Sequence, residues 1–270
     1  MREGAIIHHG TPMTPRAALL DVCAGRAMCV SFYRPDDVEV VEAISPTIMF
    51  DNGAFSFWKQ AQRKGEDWAE HRDWTPYYRW LEPRLFHPGR WAVIPDMPGA
   101  PSQLNDAMLP EWPFGQKGAP LWHMDGPIER LLRLCDKYDR VCLGWTGAGK
   151  GIDCPAYHAR MEEVAKALGN RWPVLHMMRG TAVTSLYPFH SADSTSLAQN
   201  GWRYDSRLFT ADRWTGRRAY ADALEGINRS GCDTMRRPQK SRRQHARPYL
   251  GSDGMVGREA GRGGEASRTD

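Results

Sequence analysis

"TIMFDNGAF", residues 47–55, sets the pattern of the whole chain: an apolar, β-prone run stops on Asp51, and Asn52-Gly53 then turns the backbone. Seven other stretches have the same design. They are "GAIIHHG" (4–10), "AMCVSF" (27–32), "WAVIPDM" (91–97), "PLWHMDG" (120–126), "VCLGWTG" (141–147), "VLHMMRG" (174–180) and "HSADSTS" (190–196), the last weakest in β propensity. Helical patterns fill the intervals. In "GPIERLLRLCDKY", Ile128, Leu131, Leu132 and Cys135 recur at helical spacing behind Pro127, a residue favoured at a first helical position. In "DCPAYHARMEEVAKALGN", Tyr157, Met161, Val164 and Leu168 form a stripe, with Asp153 as a candidate N-cap and Gly169 as the stop. "TPRAALLDVCAG" (14–25), "DWTPYYRWLEP", with Trp74, Tyr77, Tyr78 and Leu81 on one face, and "ADRWTGRRAYADALEG" (211–226) also read as helices.

Strands that alternate with helices pair in parallel through right-handed crossovers. Eight such units in about 230 residues have the size and count of an α/β (β/α)8 TIM-type barrel. A doubly wound open sheet is the alternative, but no G-x-G-x-x-G follows the first strand, where a dinucleotide fold would carry one. In a barrel the active site lies at the carboxyl ends of the strands. Polar residues gather at those ends: His8 and His9, Asp51, Asp96, His123 and Asp125, Gly144 and Trp145, His176 and Arg179, and Asp193.

Composition narrows the function classes. The 270 residues are 41% hydrophobic, enough for one large core, and no stretch approaches the roughly 18 apolar residues of a membrane helix. We therefore expect a cytoplasmic protein with no membrane partner. The six cysteines form no C-x-x-C or C-x-C pair, so no zinc knuckle or disulfide framework is indicated. The net charge of +4 is uneven: residues 235–270 carry nine Lys/Arg against four acids, which leaves the first 234 residues at about −1. Two parts are expected, a catalytic barrel over 1–234 and a disordered, basic, Gly/Arg-rich tail over 235–270. The basic half of that tail suits nucleic-acid phosphates or is simply solvated.

Each aspartate has a bland reading beside the chemical one. Asp51 before Asn-Gly and Asp96 before Met-Pro-Gly fit turns, and Asp125 before Gly-Pro fits a helix cap. Asp193 lies in a small polar run that ends the last strand, with no obvious helix start directly after it, so the bland and chemical readings are more evenly matched there. His8, His123, His176 and Asp193 raise a metal-dependent hydrolase as an alternative. Neighbouring strand residues point to opposite faces, so His8 and His9 cannot both reach the centre. "GWTGAGKG" (144–151) lacks the G-x-x-x-x-G-K-[ST] phosphate loop; Gly144 instead admits a flat ligand close to the backbone.

The ordered series "FDNGAF", "VIPDM", "PLWHMDG", "CLGWTGAG", "HMMRGTAVTSL" and "SADSTSLAQN", over about residues 47–200, resembles the tRNA-guanine transglycosylase superfamily. That family, built on a (β/α)8 barrel, shows Asp-Ser-Gly-Gly-Phe, Asp-Glu-Cys, Gln-Gly-Gly, Gly-Gly-Leu, Gly-Thr-Pro and Phe-Asp-Cys motifs in this order. The resemblance places Asp193 at the nucleophile and Asp51 at the first aspartate, a general acid and then base. It places Asp96 at the second aspartate, which reads guanine. Asp125 stands where the family has glutamine, and Gly144 matches the loop glycine beside the base carbonyl. The zinc-binding C-x-C-x-x-C of the tRNA enzymes is absent, with only Cys232 in that region. In this the chain resembles the smaller DpdA-like DNA 7-deazaguanine transglycosylases of phages and genomic islands. The resemblance implies DNA in preference to tRNA as partner, a 7-deazaguanine base as second substrate, partner proteins of a DNA-modification system, and no cofactor. Phe55, Trp122 and Trp145 are candidates to stack on an extruded base, and His123 and His176 to bond substrate or fill polar space.

Overall fold

Nine parallel strands form a single sheet in the order β5-β4-β3-β2-β1-β9-β8-β7-β6. The computed structural model describes residues 4–66, 73–147, 151–206 and 213–226. The strands are β1 (Ile6–Gly10), β2 (Met28–Ser31), β3 (Ile48–Asp51), β4 (Arg90–Val93), β5 (Gly118–Ala119), β6 (Leu121–His123), β7 (Arg140–Gly144), β8 (Val174–Met177) and β9 (Ser191–Ser194). Only Pro120 separates β5 from β6. Proline has no N–H to give the ladder, so the two are halves of one crossing. The first half pairs with β4 and the second with β7, and the Pro120 carbonyl accepts the Cys142 N–H at 2.9 Å. The sheet thereby closes on itself with eight strand positions, an α/β barrel as the alternation of strand and helix requires.

The helices are α1 (Arg16–Cys23), α2 (Val38–Ile44), α3 (Ala54–Lys64), α4 (Thr75–Leu85), α5 (Ser102–Met108), α6 (Ile128–Lys137), α7 (Pro155–Leu168), α8 (Ser196–Asn200) and α9 (Thr215–Leu224). Their apolar stripes pack on the outward faces of the strands. Leu19 and Val22 of α1, Val41 of α2, and Tyr77, Leu81 and Leu85 of α4 share one cluster with Val30, Ile48 and Phe50. Leu131 and Leu134 of α6 and Tyr157, Met161 and Val164 of α7 share another with Val141, Leu143 and Leu175. The barrel interior is separate: Cys29, Met49, Trp91, Val93, Ala119 and Cys142 fill it.

Two expected caps are corrected. Cys154, not Asp153, is the N-cap of α7, and the Asp153 carboxylate instead meets His158 Nε2 at 2.9 Å. Pro127 precedes α6 as its N-cap, and Asp125 caps nothing. Gly169 does end α7, with φ of 56°. The tail that the sequence reads as disordered, Cys232 and Lys150 lie outside the described residues, as do Ala211 and Asp212 at the start of the last expected helix. Among the described residues no helix is long and apolar enough to cross a membrane.

Candidate active site

Strand alternation decides what the interior sees. Odd positions of β2 and β3 and even positions of β7, β8 and part of β1 point inward, so Ser31, Asp51, Gly144, His176 and His8 share the barrel's inner face, while Asp193 stands in register beside His8. His9 points out and bonds Glu225 at 2.8 Å. The two histidines therefore part company as the pleat demands.

Three carboxylates converge at the carboxyl ends. Asp51, the last residue of β3, accepts the Ser31 hydroxyl at 2.7 Å and the Gly53 N–H at 3.1 Å, both on Oδ2. Burial pushes its carboxyl up to about 6; the charges of Asp193 and Asp96 add to the rise, and the Ser31 and Gly53 bonds oppose it. Electrostatic coupling of this kind requires the three acids to stand close to one another in poorly solvated surroundings.

The turn after Asp51 ties the second acid to the first. Gly53 has φ of 75°, and a Cβ there would lie 2.8 Å from that of Tyr33, so glycine is required. Asn52, buried, accepts the Ala54 N–H at 2.8 Å, which secures the start of α3. Its amide donates at 2.9 Å both to the Ile94 carbonyl and to Asp96 Oδ1. Asp96 Oδ2 lies 3.0 Å from His123 Nε2. Each Asp96 oxygen thus has one protein partner and one lone pair left for a ligand.

Asp193 is buried on β9. Its Oδ1 accepts the backbone N–H of Arg179 at 2.7 Å and faces His176 Nε2 at 3.3 Å. Arg179 is the one non-glycine residue with positive φ among the described residues, at 55°. Such a conformation costs free energy in an ordinary side chain and concentrates at functional sites. Here it aims the Arg179 N–H at Asp193 while the guanidinium lies over the Phe55 ring, 4.4 Å from its centroid. Phe55, in the first turn of α3, keeps 38% of its surface exposed, and Lys59 Nζ also lies over its ring, 5.1 Å from the centroid.

Not every candidate joins this group. Asp125 is exposed in the turn after β6 and has no hydrogen bond or ion pair among the described residues; His123, two positions earlier and the last inward residue of the strand, reaches Asp96 in its place. Trp145 points away from the interior because Gly144 points in, and it packs edge-on against Tyr157 at 5.4 Å. Trp122 is fully buried, donating to the Pro127 carbonyl at 3.0 Å, and is core. A Cβ on Gly144 would rest against Leu121 at 3.3 Å, so the glycine keeps clear the wall beside His123. Its carbonyl accepts the Met124 N–H at 2.9 Å, and its own N–H faces the Trp122 carbonyl in the β6–β7 ladder, so the glycine offers space to a ligand and no backbone donor. His176 is wholly buried against Asp193, beneath the surface that substrate would touch. Ser31 and Arg179 are the residues that motif reading left without a role.

Among the described residues no three His, Cys, Asp or Glu side chains gather as a metal-ligand set. His8 packs edge-on to Trp91 and His176, with centroids at 5.7 and 5.6 Å. His123 and His176 are each committed to a different aspartate.

No family model and no curated relative matches the chain. Among solved structures, the chain is similar to a thiamine phosphate pyrophosphorylase from Bacteroides thetaiotaomicron, at 10% identity and a TM-score of 0.37, over 83% of this chain and 96% of that one. It is also similar to a protein from Aquifex aeolicus VF5, at 12% identity and a TM-score of 0.41, over 83% and 91% of the two chains.

Proposed function

We propose that this chain is a base-exchange transglycosylase. It replaces guanine in nucleic acid, DNA in preference to tRNA, with a 7-deazaguanine derivative through a covalent aspartyl-sugar intermediate. The observation that carries this reading is the convergence of Asp51, Asp96 and Asp193 from three strand ends, with Asp51 pushed up to about 6.

The reading divides the chemistry among the three acids. Asp193 attacks C1′ of the nucleotide; a C1′–O bond forms as the bond from C1′ to guanine breaks, and the departing base takes a proton from Asp51. The incoming base then gives a proton to the Asp51 carboxylate, and its nitrogen displaces the Asp193 oxygen from C1′. Each proton that leaves Asp51 is thus restored in the same turnover. A general acid that becomes a general base works best when its pKa lies near the working pH, and about 6 meets that condition where an ordinary aspartate would not.

Asp96 accepts the N1–H and N2–H of guanine with its remaining lone pairs, a donor pair that adenine lacks. Phe55 stacks on the extruded base, and Arg179 above it supplies positive charge to the phosphates beside it. The test is exchange of labelled guanine into DNA by the full chain: Asp193→Ala is expected to abolish it while near-ultraviolet circular dichroism stays native. Undiminished exchange by that variant would overturn the assignment.

A further inference from the structure

Below Asp193 runs a polar path that crosses the barrel interior. Arg140, the first residue of β7, donates from Nη1 to Ser191 Oγ at 3.3 Å. Ser191 Oγ lies 2.8 Å from His176 Nδ1, and His176 Nε2 lies 3.3 Å from Asp193 Oδ1. Ser191 and His176 are both completely buried. Arg140 itself rests on the Trp91 ring, 4.4 Å from its centroid, and forms no ion pair among the described residues. Arg140 is half-buried, and a partly desolvated cation without a carboxylate beside it is under-compensated. The negative group toward which its hydrogen bonds lead is Asp193, at the far end of a neutral serine and histidine.

The two ends set the direction of every bond between them. A guanidinium only donates, so Ser191 accepts from Arg140 and has its single hydrogen left to give. An ionised carboxylate only accepts, so His176 must present a hydrogen on Nε2. Burial lowers the pKa of His176, with Arg140 adding to the effect and Asp193 opposing it. A neutral imidazole has one hydrogen, so Nδ1 is bare and receives the Ser191 hydroxyl hydrogen. All donors and acceptors are matched in one arrangement, and reversing any bond leaves one of them unmatched.

We propose that Arg140, Ser191 and His176 form a directional hydrogen-bond relay that locks His176 as the Nε2–H tautomer and orients Asp193 for attack. Asp193 Oδ1 then holds two N–H groups, from His176 and from the Arg179 backbone. Oδ2 receives no hydrogen bond among the described residues and is the nucleophilic oxygen. The three are positioning residues: they act through Asp193, and the inference rests on its proposed role as nucleophile. An apolar replacement of the same shape would fill the barrel equally well, so the relay is distinguished from packing by its proton arrangement.

That arrangement is read by long-range proton–nitrogen correlation spectra of the full 15N-labelled chain, with His176 assigned from the signal lost in His176→Gln. The expected result is a neutral Nε2–H His176 at neutral pH in the unliganded protein. Ser191→Ala is expected to give mixed tautomers and to lower kcat for exchange about tenfold to 100-fold with KM within about twofold, the scale of losing a group that orients a catalytic residue. Ser191→Thr, which restores the hydroxyl, is expected to recover both. An Nδ1–H tautomer in the wild type, or unchanged tautomer and kcat in Ser191→Ala, would overturn the relay. The tautomer is measured without substrate, so a chain that shows the Nε2–H form yet exchanges no base retains the relay and loses the transglycosylase reading.

Discussion

Replacing Asp51 with asparagine should stabilise the protein while abolishing its exchange activity. The carboxyl is raised from 3.8 to about 6, chiefly by burial. At 1.36 kcal/mol per pKa unit, ionising it in the folded state costs at most roughly 3 kcal/mol. Asp51 is half-buried, and solvent screening together with any loss of the Ser31 and Gly53 bonds reduces the expected net gain to about 1–2 kcal/mol. The pH dependence follows from linkage. Below about pH 4 the acid is protonated in both folded and unfolded chains, and no penalty exists. Between about 4 and 6 the folded chain holds the proton that the unfolded chain has released, so wild-type stability falls as pH rises. Above about 6 the penalty is complete. Urea denaturation of wild type and Asp51→Asn at pH values on either side of this window checks the argument. The two should be nearly equal near pH 4 and separated, with the variant more stable, near pH 7.5. A variant less stable at the higher pH, or a gap that does not change with pH, would refute the claim that Asp51 is held in an environment hostile to its charge.

Three further predictions concern the same group of residues. Asp96→Asn should weaken guanine binding by about 1–3 kcal/mol, roughly fivefold to 150-fold, and relax base selectivity, because a donor replaces an acceptor facing N–H groups; unchanged guanine affinity in a binding titration would reduce Asp96 to a fastener for Asn52 and His123. Gly53→Ala should cost at least about 1–3 kcal/mol in chemical denaturation, since it combines a φ of 75° with a Cβ placed 2.8 Å from Tyr33 Cβ; a cost near zero would mean that the turn is not constrained. Release of guanine in the first half-reaction should slow as pH rises above about 6, approaching a tenfold loss per unit as the Asp51 acid form is depleted; a flat single-turnover profile from about pH 5.5 to 8 would remove Asp51 as the acid.

The barrel was legible because strand-forming runs and helical stripes alternate with turn residues at the joints, and even "HSADSTS", poor in β propensity, forms β9 between two paired neighbours. Tertiary pairing there overrides intrinsic preference. The break at Pro120 was less apparent, because one missing N–H divides a strand without ending it. Among the site residues, period two explains both the successes and the misses. It puts Asp51 beside Ser31 and turns Trp145 outward when Gly144 faces in. Asp125 misled because counting from an apolar run does not say where the strand stops; β6 ends at His123, and the turn carries Asp125 into solvent. Arg179 gave no signal, since a left-handed residue is foreseeable at glycine or asparagine but not at arginine. Nor does spacing reveal that His176 meets Ser191 and Asp193: that contact depends on the stagger between β8 and β9, which pairs His176 with Ser191.

The central claim is base exchange at a strand-end aspartate. It is tested most directly by incubating the full chain with DNA, with tRNA and with labelled 7-deazaguanine bases, then digesting each polymer to nucleosides and identifying the one that carries the label. The account predicts a labelled 7-deazaguanine deoxynucleoside from DNA, one guanine released for each base inserted, and neither product from Asp193→Ala. Guanine released without incorporation, or no label in either polymer, would contradict it.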